Sequence, residues 1–301
     1  MKSLAVTLLL CLSILGLRAQ TISSPEEFKS RFYDEVFDKK YDGALAILDE
    51  WEKAFPTDGE LWPARFNYHI NKSRQEVMWL STDTLPQGEA MMLANEDGSL
   101  AGSLQPLVQW DDDEFQKAIE AIENGIKERP DRLDYRLGEM TAYRYRDMTD
   151  KAVDLLIETA EYDVANTPKW LWTDDSIADQ TVAQAIVDVA SELFYSETED
   201  EAFERLVAEA SRLYPDNFMI INLMGVDRLL NKDYSKALEY LEKALSLNPG
   251  DDIVMCNIAY TYLQKGDKAK ARELYQQLID SPQTSDDIRA DATSRLATLS
   301  D

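Results

Sequence analysis

The chain has 301 residues, of which 57 are acidic and 31 basic, and 45% are hydrophobic. Its formal charge of −26 repels nucleic-acid phosphates and anionic lipid surfaces, which makes both poor partners, while it attracts cationic surfaces. The cysteines are Cys11 and Cys256, so once the first is removed no intrachain disulfide can form.

Residues 1–19 read as a cleavable signal peptide. Lys2 supplies the positive start, Leu4 to Leu17 is an apolar core of 14 residues, and the small Ala19 precedes Gln20. A spanning helix needs about 20 apolar residues, so the expectation is a periplasmic or secreted protein with no stable membrane insertion after cleavage. Processing removes two basic residues, leaving 29 against 57 and a charge of −28.

In Ser24-Pro25-Glu26-Glu27 an N-cap serine, a proline at the first helical position and a glutamate three residues past the cap predict a helix start. Phe28, Phe32, Val36 and Phe37 form its buried stripe. A second helix is expected from about Tyr41 to Phe55, with Ala44, Leu48 and Trp51 before Pro56, and a third from about Glu60 to Val77, carrying Trp62, Phe66 and Ile70. The helical reading then stops at Leu85-Pro86-Gln87-Gly88. Glu89–Asn95 and Ser99–Leu104 flank Glu96-Asp97-Gly98, a hairpin turn signal, so a β-hairpin insert is expected at about 78–110. Asp111 to Glu114 restart the helices by capping and by opposing the helix dipole. Ala118, Ile122, Gly125 and Pro130 follow at the spacing of Ala44, Leu48, Trp51 and Pro56. Beyond two further helices, a loop at about Ala165–Ile177 holds Trp170-Leu171-Trp172. Thr198 and Glu201 read as a second capping box, and Ser285 as the cap of a last helix, Asp286 to Leu299.

Asn217 to Gly250 reads as one helix–turn–helix unit whose pattern recurs at 34 residues on both sides. Ile221 matches Val187 and Met255, Gly225 matches Ser191 and Ala259, and Leu241 matches Val207 and Tyr275. A period of this size marks stacked units that bury their apolar faces on one another. With small residues at Ser191, Gly225 and Ala259, and Ala237, Ala271 and Pro249 at the other repeat positions, residues 184–285 resemble tetratricopeptide repeats. The resemblance implies an all-α fold, a right-handed α-solenoid of helix pairs with the small β-hairpin insertion. The expected organisation is irregular repeats with the insert over residues 20–177, then regular repeats and a capping helix over 178–301.

The resemblance also implies a scaffold that holds a peptide or partner helix in a concave groove, rather than an enzyme. One subtype grips a C-terminal carboxylate with Lys and Asn residues. Asn257 stands at one such place, but Asn222, Val226 and Ile253 occupy the others, so the basic groups are absent. Asn222 and Asn257 are therefore the candidate partner-binding residues, suited to hydrogen bonding a peptide backbone. Trp170 and Trp172, two apart in an extended stretch, face one side and supply the alternative, a platform for a glycan in a carbohydrate-binding accessory protein. The bland role for both is to pin the loop on the repeats. His69, the only histidine, stands without a catalytic constellation. The Asp clusters lack the alternating spacing of a calcium loop, so no cofactor, metal or catalytic residue is expected.

Overall fold

The computed structural model describes residues 24–81, 91–95, 97, 99–194, 196 and 200–299. The expected signal peptide, Leu85–Gly88 and Thr198 lie outside the described residues. The chain divides into two compact units, the first ending at Glu114 and the second starting at Phe115. Among the described residues there are thirteen α-helices and one small sheet, and no helix is long and apolar enough to cross a membrane.

The first unit holds α1 (Pro25–Phe37), α2 (Tyr41–Ala54) and α3 (Leu61–Ser73). The Ser24 hydroxyl accepts from the Glu27 amide, as the cap signature predicts. Phe28, Phe32 and Val36 pack on Ala44, Leu48 and Trp51, while Phe37 is exposed. The fully buried Trp51 stacks on Phe28 with centroids 6.4 Å apart, and its Nε1 donates to Asp58 Oδ2 at 2.8 Å.

Helix α3 ends at Ser73 rather than near Val77, and the expected hairpin is a three-stranded antiparallel sheet. Strand β1 (Arg74–Ser81) takes the residues assigned to the end of the helix; β2 (Met91–Ala94) and β3 (Leu100–Trp110) follow, in the order β1-β3-β2. Strand β3 runs 11 residues, past the expected Leu104 to Trp110, and Ser103 to Trp110 pair along all of β1. Backbone pairing with a distant strand overrides the local helical pattern of Gln75 to Val77. The Ser73 carbonyl accepts from the Asp111 amide at 2.8 Å, which closes the base of the insert.

Helix α4 (Asp112–Glu128) leads into the second unit, where α5 (Leu133–Tyr145) pairs with α6 (Thr149–Asn166) and α7 (Val182–Phe194) with α8 (Asp200–Leu213). Likewise α9 (Phe218–Leu230) pairs with α10 (Tyr234–Leu247) and α11 (Asp252–Lys265) with α12 (Lys268–Asp280), and α13 (Asp286–Thr298) packs on α12. The second helices carry one recurrent seam. Ala237, Leu241 and Ala244 are fully buried in α10, as are Ala271 and Tyr275 in α12 and Ala152 in α6. In the first helices Gly225 and Ala259 are buried as expected, but Ser191 is exposed and its hydroxyl donates to Val187 O. Ala190 is the buried small residue of α7, so that helix is rotated by one residue against the 34-residue register. Ser285 holds the N-cap position of α13, yet its amide and hydroxyl both donate to Asp252 Oδ2 at 2.7 Å, which ties α13 to the start of α11.

Gly225 sets the approach of α9 to α10, because a Cβ there would stand 2.6 Å from Leu241 Cγ and Cδ2. An exposed helical Gly→Ala change gains about 1 kcal/mol. At Gly225 overpacking of about 1–3 kcal/mol outweighs that gain, so Gly225→Ala lowers the melting temperature of the second unit and Gly225→Val lowers it further. Among the described residues the buried Tyr275 hydroxyl has no hydrogen-bond partner, and burial pushes the phenol well above its ordinary value. Tyr275→Phe removes an unsatisfied polar group and leaves stability unchanged or raised by up to about 1 kcal/mol; a clear loss in the same melting measurement would show that the hydroxyl is satisfied in solution.

Candidate partner-binding site

Asn222 and Asn257, 35 residues apart in the chain, are brought together by the stacking of α9 and α11. Asn257 Nδ2 donates to Asn222 Oδ1 at 3.0 Å. Both side chains are half-buried, so the link lies at the rim of the core. The two helices are oriented by their caps. Asn217 Oδ1 accepts from the amides of Met219 and Ile220 at 3.0 and 3.4 Å, and Asp251 Oδ1 accepts from the Val254 amide at 3.0 Å. The link uses the Asn257 amide hydrogens and the Asn222 carbonyl oxygen, so the Asn222 amide group and the Asn257 carbonyl oxygen are the donor and acceptor that it does not use. Ile253, one turn away on α11, is exposed. Cys256 beside Asn257 is buried; its Sγ donates to Asp291 Oδ2 at 3.4 Å, and burial pushes the thiol up to about 12, so it holds its proton and is a poor nucleophile.

Trp170 belongs to the core of the second unit and Trp172 packs against it. Leu171 between them bridges to Arg132 and Ile177. Trp170 is 9% exposed, and its Nε1 donates to Asp163 Oδ1 at 2.8 Å. Tyr214 donates to the other oxygen of Asp163 at 2.7 Å. Trp172 is half-buried against the same cluster. Trp79 lies in β1 and is half exposed, while Trp110 ends β3 and is partly buried.

Three buried charged residues, Arg132, Arg136 and Glu139, escaped the sequence reading. The Arg136 guanidinium lies 4.8 Å from the Tyr162 ring centroid and 5.9 Å from that of Trp170, and its buried Nε and Nη1 have no hydrogen-bond partner among the described residues. Arg136 stands six residues after Pro130, where Ile221 and Met255 stand six after Pro215 and Pro249; a charge at that apolar position was the available signal. Glu139, one turn on, is also buried. Arg132, nearly fully buried as well, donates from Nε and Nη2 to the two oxygens of Asp134 at 2.9 and 2.8 Å.

His69, Asp111 and Asp175 each make a contact within the fold. His69 Nδ1 lies 2.7 Å from Glu114 Oε2, and Lys72 Nζ is 3.2 Å from Oε1 of the same carboxylate. Asp111 caps α4 by accepting from the Glu114 amide, and Asp175 receives Arg129 at 2.7 Å. Among the described residues no group of three or more His, Cys, Asp or Glu side chains is placed to hold a metal ion. A cleft of about 510 Å³ at the starts of α6 and α8 is lined by Asp147 to Lys151, Glu201 and Ala202, and includes none of the four candidate residues.

Burial, with the charge of Glu123, raises the Glu139 carboxyl from 4.5 to about 7, against the hydrogen bond from Tyr143. Between pH 4.5 and about 7 the folded state therefore keeps a proton that the unfolded chain has lost. Stability falls as pH rises through this window, and the loss is complete above it. Glu139→Gln, neutral throughout, melts at a higher temperature than the parent at pH values of about 8, and the gap narrows toward about 5. Parallel melting profiles for the two proteins would refute the shift.

Residues 228–292 match the family model of the tetratricopeptide repeat. No curated protein matches the chain. Among solved structures, the chain is similar to the C-terminal part of a TPR repeat-containing protein from Cytophaga hutchinsonii, at 13% identity over 92% of this chain and 90% of that one, with a TM-score of 0.46. A tetratricopeptide repeat protein from Parabacteroides merdae is similar at 10% identity, over 91% and 88%, with a TM-score of 0.41. A thermophilic TPR protein of Thermus thermophilus is similar at 17% identity, over 62% and 92%, with a TM-score of 0.39. The matched residues run from the end of α9 through α10, α11 and α12 into α13, and over this stretch the chain matches the tetratricopeptide repeat.

Proposed function

We propose that the chain is a non-enzymatic interaction scaffold of the cell envelope or periplasm, which holds a peptide or partner helix along α9 and α11 beside Asn222 and Asn257. The observation that carries this reading is the Asn257–Asn222 hydrogen bond of 3.0 Å. It presents a donor and an acceptor together on consecutive first helices, and a peptide backbone carries the same two groups at each residue. The acid surplus, 57 residues against 31, favours a cationic partner and a fast, salt-sensitive encounter. The glycan alternative through Trp170 and Trp172 draws less support, since a sugar stacks on an open ring face and Trp170 is buried against Tyr162 and Arg136.

The test is affinity capture from envelope extract on the immobilised mature chain, beside an Asn222→Ala/Asn257→Ala variant, with washes at low and high salt. A protein retained by the parent should bind the variant roughly tenfold more weakly, as expected for loss of about 1–2 kcal/mol of hydrogen bonding. Equal affinity for the two would remove the asparagines from the site, and retention of glycan alone would transfer the function to the Trp loop.

A further inference from the structure

Helix α5 buries two groups of opposite charge at places where the repeat that follows Pro215 carries apolar side chains. Arg136 and Glu139 are each 4% exposed, and Ile221 and Met224 hold the corresponding places in α9. Three residues apart on one helix, the two side chains are within reach of each other. The guanidinium is nevertheless set against the rings of Tyr162 and Trp170, and its Nε and Nη1 have no hydrogen-bond partner among the described residues. Two buried donors are thus held one helical turn from a buried carboxyl group. The groups that face Glu139 are Glu123 on α4, Tyr143 and Arg136 on its own helix, and Glu158 on α6. Burial and the Glu123 charge hold its proton up to about 7, the Tyr143 hydroxyl works the other way, and of these groups Arg136 acts on it least. Glu123 and Glu158 are exposed, so water screens them in both protonation states of Glu139.

The guanidinium therefore has two settings, and the proton on Glu139 chooses between them. Turning to a neutral carboxyl group gains one ordinary hydrogen bond, with which two desolvated ring faces compete well. Turning to an ionised one makes a buried, charge-assisted pair, and leaving that carboxylate unpaired is the costlier outcome. The choice has a structural reader. Trp170 anchors the loop between α6 and α7, in which Thr167, Asp174 and Asp175 hold φ values of 46°, 56° and 54°, a backbone region costly above all for the β-branched Thr167. A loop held against its local preference depends on its anchor. We propose that Arg136 and Glu139 form a proton-operated switch: protonated Glu139 leaves the guanidinium on Tyr162 and Trp170, whereas ionised Glu139 draws it away, so that Trp170 loses its cover and the loop loosens.

The indole N–H resonance of Trp170, identified by its absence in Trp170→Phe, reports the switch when the full mature chain is titrated by NMR from about pH 5.5 to about 8.5. The expected result is one sigmoidal shift with its midpoint at about 7, which Glu139→Gln abolishes. Arg136→Met separates the switch from a bare field effect, because Glu139 still ionises while no guanidinium is left to move. The shift should vanish there too. Circular dichroism at both ends of the range confirms that the variants are folded. A resonance that stays in place across the range overturns the proposal, and so does a shift that survives in Glu139→Gln or in Arg136→Met.

Discussion

Everything in the second unit depends on how closely the two helices of a pair can approach. Where α9 meets α10, Gly225 leaves room for Leu241 and nothing larger. Ala237, Leu241 and Ala244 then disappear from solvent altogether. The small residues set the distance, and the large residue between them supplies the buried area. A helix of 13 or 14 residues is marginal alone in water, so each pair is stable because it buries its seam and then packs on the next pair. The 34-residue period is the sequence trace of that requirement, and Ala271 and Tyr275 repeat it in α12.

The same stacking creates the candidate site. Residues 222 and 257 lie on different helices, and only the lateral packing of successive first helices brings their amides to 3.0 Å. That arrangement requires no reactive group. The single described cysteine keeps its proton, and the histidine is held by a carboxylate as part of the packing of the first unit. What the stacking places together is a pair of side-chain amides joined by one hydrogen bond on two packed helices.

The Trp loop shows how an irregular connection is held. Trp170 is fastened by its indole N–H to Asp163, covered by the Arg136 guanidinium, and braced by Tyr214 through the same carboxylate. A buried Arg with unsatisfied donors is costly in isolation. Its stacking against two rings is the compensating interaction visible here, of the cation–π kind worth more when desolvated. The cost that Glu139 adds appears as its raised carboxyl pKa.

Much of this was legible in residue order. The cap at Ser24, the Ala44/Leu48/Trp51 seam, the restart at Asp111 and the 34-residue period are local or nearest-neighbour features, and local features survive in a one-dimensional pattern. The asparagines could be named because they occupy family positions. Other features depended on contacts between distant residues. Arg74 to Ser81 is a strand because β3 lies alongside it; Ser191 faces solvent because α7 is rotated against its neighbours; and Trp170 faces inward because Asp163 and Arg136 wait there. By itself the sequence determined the repeat, its helices and most of its buried small residues, because helix propensity and short-range packing are written within one period. The tertiary structure alone decided which way the inserts face and which side chains meet across 35 residues or more, because those outcomes rest on partners that no local window contains.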